Sequence, residues 1–174
     1  TIPLENMGSY NFDFGVVQAQ LGFGGVGGWA ADLTHAGFLP REFFDAVEPP
    51  DGGDFILGVT FTFIWVEDDY VTPTDIDNNR RADVAFRETY YNDAFPWDIN
   101  AVYPYYDLET VVLHEAGHGL SQGHFGTASG TFANGKIHFS PRALMNATYS
   151  GVQTRVRKTD NAGHCSIWSS WPEN

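Results

Sequence analysis

Basic residues and cysteine are what this chain has least of. Nine lysines and arginines stand against 22 aspartates and glutamates, a formal net charge of −13. Phosphate backbones and anionic membrane surfaces are repelled by such a surface, so nucleic acid is not an expected partner. Cys165 is the sole cysteine, which rules out an intrachain disulfide and a four-cysteine zinc site. Long hydrophobic runs are also missing. The longest, from Phe55 to Val66, falls short of the ~20 residues that cross a bilayer and is interrupted by Gly58, Thr60 and Thr62, so no membrane insertion is expected. Neither an initiator methionine nor a signal-peptide pattern stands at Thr1, which reads as a mature or truncated chain with any export signal or pro-segment upstream.

What is present describes a folded domain. Hydrophobic residues make up 43% and aromatic residues 16% of the 174 positions, enough apolar surface for one sizeable core, rich in strands and packed with rings. The glycine-rich segment 22–28 satisfies a G-x-G-x-x-G pattern, but no convincing helix opens after it, and the dinucleotide reading needs one. Leu39 to Val47 carries Pro40 at a helix start and apolar residues at 39, 43, 44 and 47, stopped by Pro49-Pro50, which predicts a short amphipathic helix. Phe55 to Val66 predicts a buried strand, and the alternation from Ala82 to Tyr91 a second. Asp107 is a good N-cap for a helix running through Leu108, Val111, Val112 and Ala116. Residues 125–142 read as a long loop, and a last helix is expected from Thr159-Asp160, burying Cys165.

Between the two predicted strands lies an acidic stretch. Asp75, Asp77, Asn79 and Asp83 occupy the first, third, fifth and ninth places of a calcium loop, but Arg80 stands at the sixth place and Phe86 at the twelfth. An EF-hand is thereby excluded, and what is left is a looser candidate calcium site or a solvated acidic hairpin.

The chemistry concentrates in His114-Glu115-Ala116-Gly117-His118. On a helix, residues four apart share a face, so His114 and His118 can reach one metal ion. Glu115 points about 100° away, where it can approach a water held by the metal rather than the metal itself. His124 lies six residues further on, and Gly119 and Gly123 allow the chain to turn back. His35, His138 and His164 are isolated and read as surface or hydrogen-bonded histidines.

These residues resemble the metzincin clan of zinc metallopeptidases, and within it the bacterial matrixin-like enzymes. The resemblance rests on the three histidines and Glu115, on Ala143-Leu144-Met145 with Tyr149 four residues later, on Thr159 to Gly163 as the start of a closing helix, and on Tyr90 to Trp97 before the active-site helix. It implies an α+β fold, with a twisted, mostly parallel sheet, an active-site helix above a cleft, and an irregular C-terminal subdomain ending in a helix. The whole chain, 1–174, would be one catalytic domain, with 1–124 above the cleft and 125–174 below it. It implies one zinc on His114, His118 and His124, with Glu115 as the base that activates zinc-bound water. Met145 is the expected floor under the metal, and Tyr149 a pocket or oxyanion residue. The implied protein is a secreted, monomeric endopeptidase acting on protein or peptide substrates, and a groove open at both ends, lined by an edge strand near 84–91, would favour endopeptidase action by strand addition of the substrate. A zinc-stabilised binding module without catalysis, and a narrow-specificity exopeptidase or toxin-like protease, are the alternatives. Two departures stand out: Ser121 replaces the glycine of the turn, which can otherwise move to Gly123, and Asn146-Ala147 follows the methionine in place of Tyr-Pro.

Overall fold

A computed structural model describes residues 4–131 and 137–169. The chain divides into two compact units, one ending at Ala94 and the other beginning at Phe95. Both helices and strands occur in each, so the fold is mixed α+β.

The first unit is built on β1 (Leu33–Leu39), β2 (Gly58–Ile64) and β3 (Val84–Asn92), with helices α1 (Val16–Gln20) and α2 (Arg41–Val47). The strand order is β1-β3-β2. β1 runs parallel to β3 and β2 antiparallel to it, so this sheet is evenly mixed where a mostly parallel one was expected. The reading of 84–91 as an edge strand is also corrected: β3 is hydrogen-bonded on both sides. Its burial explains the place, because every residue from Phe86 to Asn92 is buried, and a strand covered on both faces and both edges belongs at the centre of a sheet. β2 takes an edge, and its residues are partly buried or exposed, so the strand expected to be buried is only half-buried.

Phe43 and Phe44 on α2 are fully buried and pack with Tyr90, Val17 and Leu39 to form the core of this unit. Pro40 stands at the N-cap of α2, one place earlier than expected, where its fixed φ of −70° suits helix entry. Glu88, also fully enclosed, accepts hydrogen bonds from the Val16 and Val17 amides and the Tyr90 hydroxyl at 2.7, 3.2 and 2.9 Å. A buried carboxylate is tolerable when its oxygens are so occupied. The glycine-rich segment is a packing loop: a side chain at Gly25 would meet the Gly15 carbonyl at 2.7 Å, and the element that follows is β1 rather than a helix.

The second unit holds a short parallel pair, β4 (Trp97–Asp98) with β5 (Tyr106–Asp107), and then α3 (Leu108–Gly119). Asp107 caps α3, accepting from the Thr110 amide at 2.8 Å and the Thr110 hydroxyl at 2.5 Å, and its other oxygen accepts from the Asn100 amide at 2.6 Å. Burial pushes the Asp107 carboxyl up, but these hydrogen bonds outweigh it and hold the group below the ordinary range. The segment read as a loop contains an antiparallel hairpin, β6 (Thr127–Gly130) with β7 (Ile137–Ser140). All but Phe139 of its eight strand residues are exposed, so no apolar alternation announced it. α4 (Lys158–Trp168) closes the unit with Asp160 at its third position, and Cys165 lies exposed on it rather than buried.

No described helix is long and apolar enough to cross a membrane.

Candidate metal centre

α3 presents His114 and His118 on one face, as the i, i+4 spacing dictates. After Gly119 the chain reverses at Ser121, which adopts φ +66°, and His124 returns to the same point. The turn therefore keeps its left-handed residue at position 121 although the side chain there has a Cβ, and it does not move to Gly123. Backbone hydrogen bonds from Ser121 to the His118 carbonyl (2.9 Å) and from Gln122 to the Gly117 carbonyl (3.0 Å) hold it. These bonds set the strain of about 1–2 kcal/mol that a non-glycine residue carries in this conformation against a satisfied helix end.

The three Nε2 atoms form an equilateral triangle with sides of 3.1 Å. His114 Nδ1 lies 2.7 Å from the Leu144 carbonyl oxygen and His118 Nδ1 lies 2.7 Å from that of Gln122. A carbonyl can only accept, so both Nδ1 atoms carry the proton and both Nε2 atoms of the neutral rings present a lone pair. The 3.1 Å contact between those two Nε2 atoms consequently has no proton in it. Lone pairs that converge in this way suit a cation, and nitrogens bound at about 2.0–2.1 Å to a tetrahedral zinc stand about 3.3 Å apart. Among the described residues this is the group of histidine, cysteine or carboxylate side chains whose ligand atoms come together.

Electrostatics favour the neutral rings. Burial pushes His114 down to about 4, partly offset by its bond to Leu144 and reinforced by His118 and His124. Burial likewise lowers His118 and His124. Metal ligation requires imidazoles that are already deprotonated.

Glu115 stands outside the ligand triangle and is only 4% exposed. Met145 is 1% exposed, and its sulfur packs against α3 where Gly117 leaves room: a Cβ there would come within 2.3 Å of the thioether. The methionine thus lies under the helix segment between the two histidines. The Tyr149 hydroxyl accepts a hydrogen bond from the Asp107 amide at 3.1 Å, and its ring packs edge-on to Tyr106 at 5.2 Å. That ties Tyr149 to the start of α3, seven residues before His114.

The candidate calcium residues accept hydrogen bonds from their own loop. Asp75 accepts from the Arg80 amide, Asp77 from the Asn79 amide and side chain, Asn79 from the Arg81 amide, and Asp83 from the Ile76 amide. These bonds close turns within the loop, while Asp75 Oδ1 is buried and accepts none. Asp75, Asp77 and Asp83 form no three-ligand group.

Sequence reasoning missed the residues that hold the methionine turn. Asp160 accepts from the Leu144 amide at 2.8 Å and from the Arg157 amide at 2.9 Å, so the carbonyl that orients His114 belongs to a residue tied to α4. The Gln153 side-chain amide donates to the Ala143 carbonyl, and its backbone amide donates to the Thr110 hydroxyl on α3. The bonds of the Asp160 carboxylate and the Gln153 side chain run to backbone atoms, which leave no side-chain signature at the partner position.

No protein-family model, no curated protein and no solved structure matches this chain.

Proposed function

We propose that this chain is a zinc-dependent endopeptidase of metzincin type, with Glu115 as its general base. The observation that carries the proposal is the triangle of Nε2 atoms formed by the two histidines of an H-E-x-x-H helix and His124 beyond it, two of them fixed as lone-pair donors by backbone carbonyls. His114, His118 and His124 would hold the ion. Bound there, zinc supplies a Lewis acid and lowers the pKa of water it contacts to about 7.

The chain's own residues account for the rest. The Leu144 and Gln122 carbonyls orient two imidazoles and raise their basicity as ligands. Glu115 takes the proton of the attacking water and passes it to the departing amine. Met145 supports the site through packing. Tyr149 is held to Asp107 at the start of α3. Secretion, a monomeric state and cleavage within a chain rather than at its ends follow from the resemblance of residues 114–124, 143–149 and 159–163 to the clan.

The burial of Glu115 favours one competing reading, a binding module in which zinc serves only the fold. The ligand count weighs against it: structural zinc sites are closed by four protein ligands, whereas a catalytic site keeps a position open, and the described group has three. The test is peptide cleavage before and after chelation. Cleavage should disappear on metal removal and return with stoichiometric zinc but not with magnesium; cleavage that survives a chelator in protein shown to be metal-free contradicts the proposal.

A further inference from the structure

Asn146 follows the methionine of the turn, where the resembled family has a bulkier residue, and its side chain is 3% exposed. Every polar atom of that side chain is engaged. Oδ1 accepts from the Ala143 amide at 2.8 Å, which closes the turn around Leu144 and Met145. Nδ2 donates to the Phe125 carbonyl at 2.9 Å and to the Pro141 carbonyl at 3.2 Å. Phe125 is the residue after His124, and its own amide donates to the Met145 carbonyl at 3.1 Å. The chain at His124 is therefore bonded to the turn on both sides of one residue.

Among the three ligands His124 has the weakest local support. His114 and His118 share a helix and each donates Nδ1 to a carbonyl, whereas His124 lies outside any regular element and is exposed. Gly126, with φ +95°, brings the backbone close to the Asn146 amide: a Cβ there would sit 2.7 Å from Nδ2. The local backbone is thus shaped to admit this one side chain.

We propose that Asn146 is the positioning residue for the third metal ligand, joining the segment that carries His124 to the turn that carries Met145. This inference rests on the reading of the triangle as a metal site. Groups that orient metal ligands typically contribute 10–100-fold to metal affinity, and Asn146 acts on His124 through the backbone at Phe125.

The test is zinc affinity by chelator competition, for the wild type, Asn146→Ala, His124→Ala and the double variant. The d–d spectrum of each cobalt-loaded protein is recorded alongside. Asn146→Ala should weaken zinc binding by about 10–100-fold and lower the intensity of the cobalt bands as the third nitrogen is lost. In the His124→Ala background the same substitution should change affinity little, because the ligand it positions is gone. An effect of Asn146→Ala that persists undiminished without His124 overturns the proposal, and so does an affinity equal to the wild type. If the wild type itself takes up no zinc, the metal-site reading fails and this one with it, an outcome distinct from the other two. Circular dichroism of the metal-free proteins establishes folding. Should Asn146→Ala not fold, Asn146→Ser retains an acceptor for the Ala143 amide while losing the reach to Phe125, and the same comparison applies to it.

Discussion

At the scale of single residues, two backbone carbonyls decide what the imidazoles can do. By accepting from Nδ1, Leu144 and Gln122 fix the tautomer, and the paired Nε2 atoms are left as lone-pair donors. The same crowding sets a pH dependence. In metal-free protein all three rings are held below 6.5, His114 to about 4, with burial as the first cause. An unfolded chain takes up protons near 6.5 that the folded chain refuses until lower pH, so the contribution of the neutral cluster is complete above that value and is lost as the pH falls toward 4. Denaturant unfolding of chelated protein should show a midpoint that is level above pH 7 and declines between pH 6.5 and 4; a midpoint rising with acidity in that window contradicts this account.

Helix α3 is the element that makes the site, and its two ends give separate predictions. At the start, Asp107→Ala leaves the Thr110 amide, the Thr110 hydroxyl and the Asn100 amide without their acceptor. Loss of an N-cap costs about 1–2 kcal/mol, read as a lower denaturation midpoint. In the middle, Gly117→Ala should be unfavourable despite the better helix propensity of alanine, because its Cβ meets the Met145 sulfur. Overpacking of this kind costs about 1–3 kcal/mol. Combining it with Met145→Ala should be less damaging than the two single effects added, and strict additivity would show that the two sites do not press on one another. At the far end, Ser121→Gly relieves a left-handed residue at φ +66° and should raise stability by up to about 1 kcal/mol, with zinc affinity retained.

For the whole molecule, much of the second unit was legible in sequence and less of the first. The spacing 114, 118, 124 foretold the triangle because helix periodicity and a sharp turn leave few other arrangements, and Asp107 announced its helix because a capping carboxylate acts locally. The position of β3 between β1 and β2 was not legible. Strand order depends on contacts between residues such as Leu33 and Arg87, far apart in the chain, and alternation in one strand reveals which face is buried but not which edge is covered. The hairpin of β6 and β7 was hidden for a different reason, since exposed strands need no apolar pattern. Metal should couple to the folding of this assembly: zinc at a hundred times its dissociation constant adds about 2.7 kcal/mol to the folded state. The thermal midpoint should accordingly rise with zinc and fall with chelator, and identical melting in both would speak against a site formed on folding.

The central claim, that Glu115 acts as a base beside zinc held by three histidines, is tested most directly by cleavage of a peptide library with zinc-loaded wild type and Glu115→Gln. Both proteins are brought to the same measured zinc content, and products are identified by mass spectrometry. The account predicts internal peptide cleavage by the wild type and a loss of about 100-fold or more in the variant, the scale of a positioned general base. Equal cleavage by both proteins, or none by zinc-replete wild type, contradicts it.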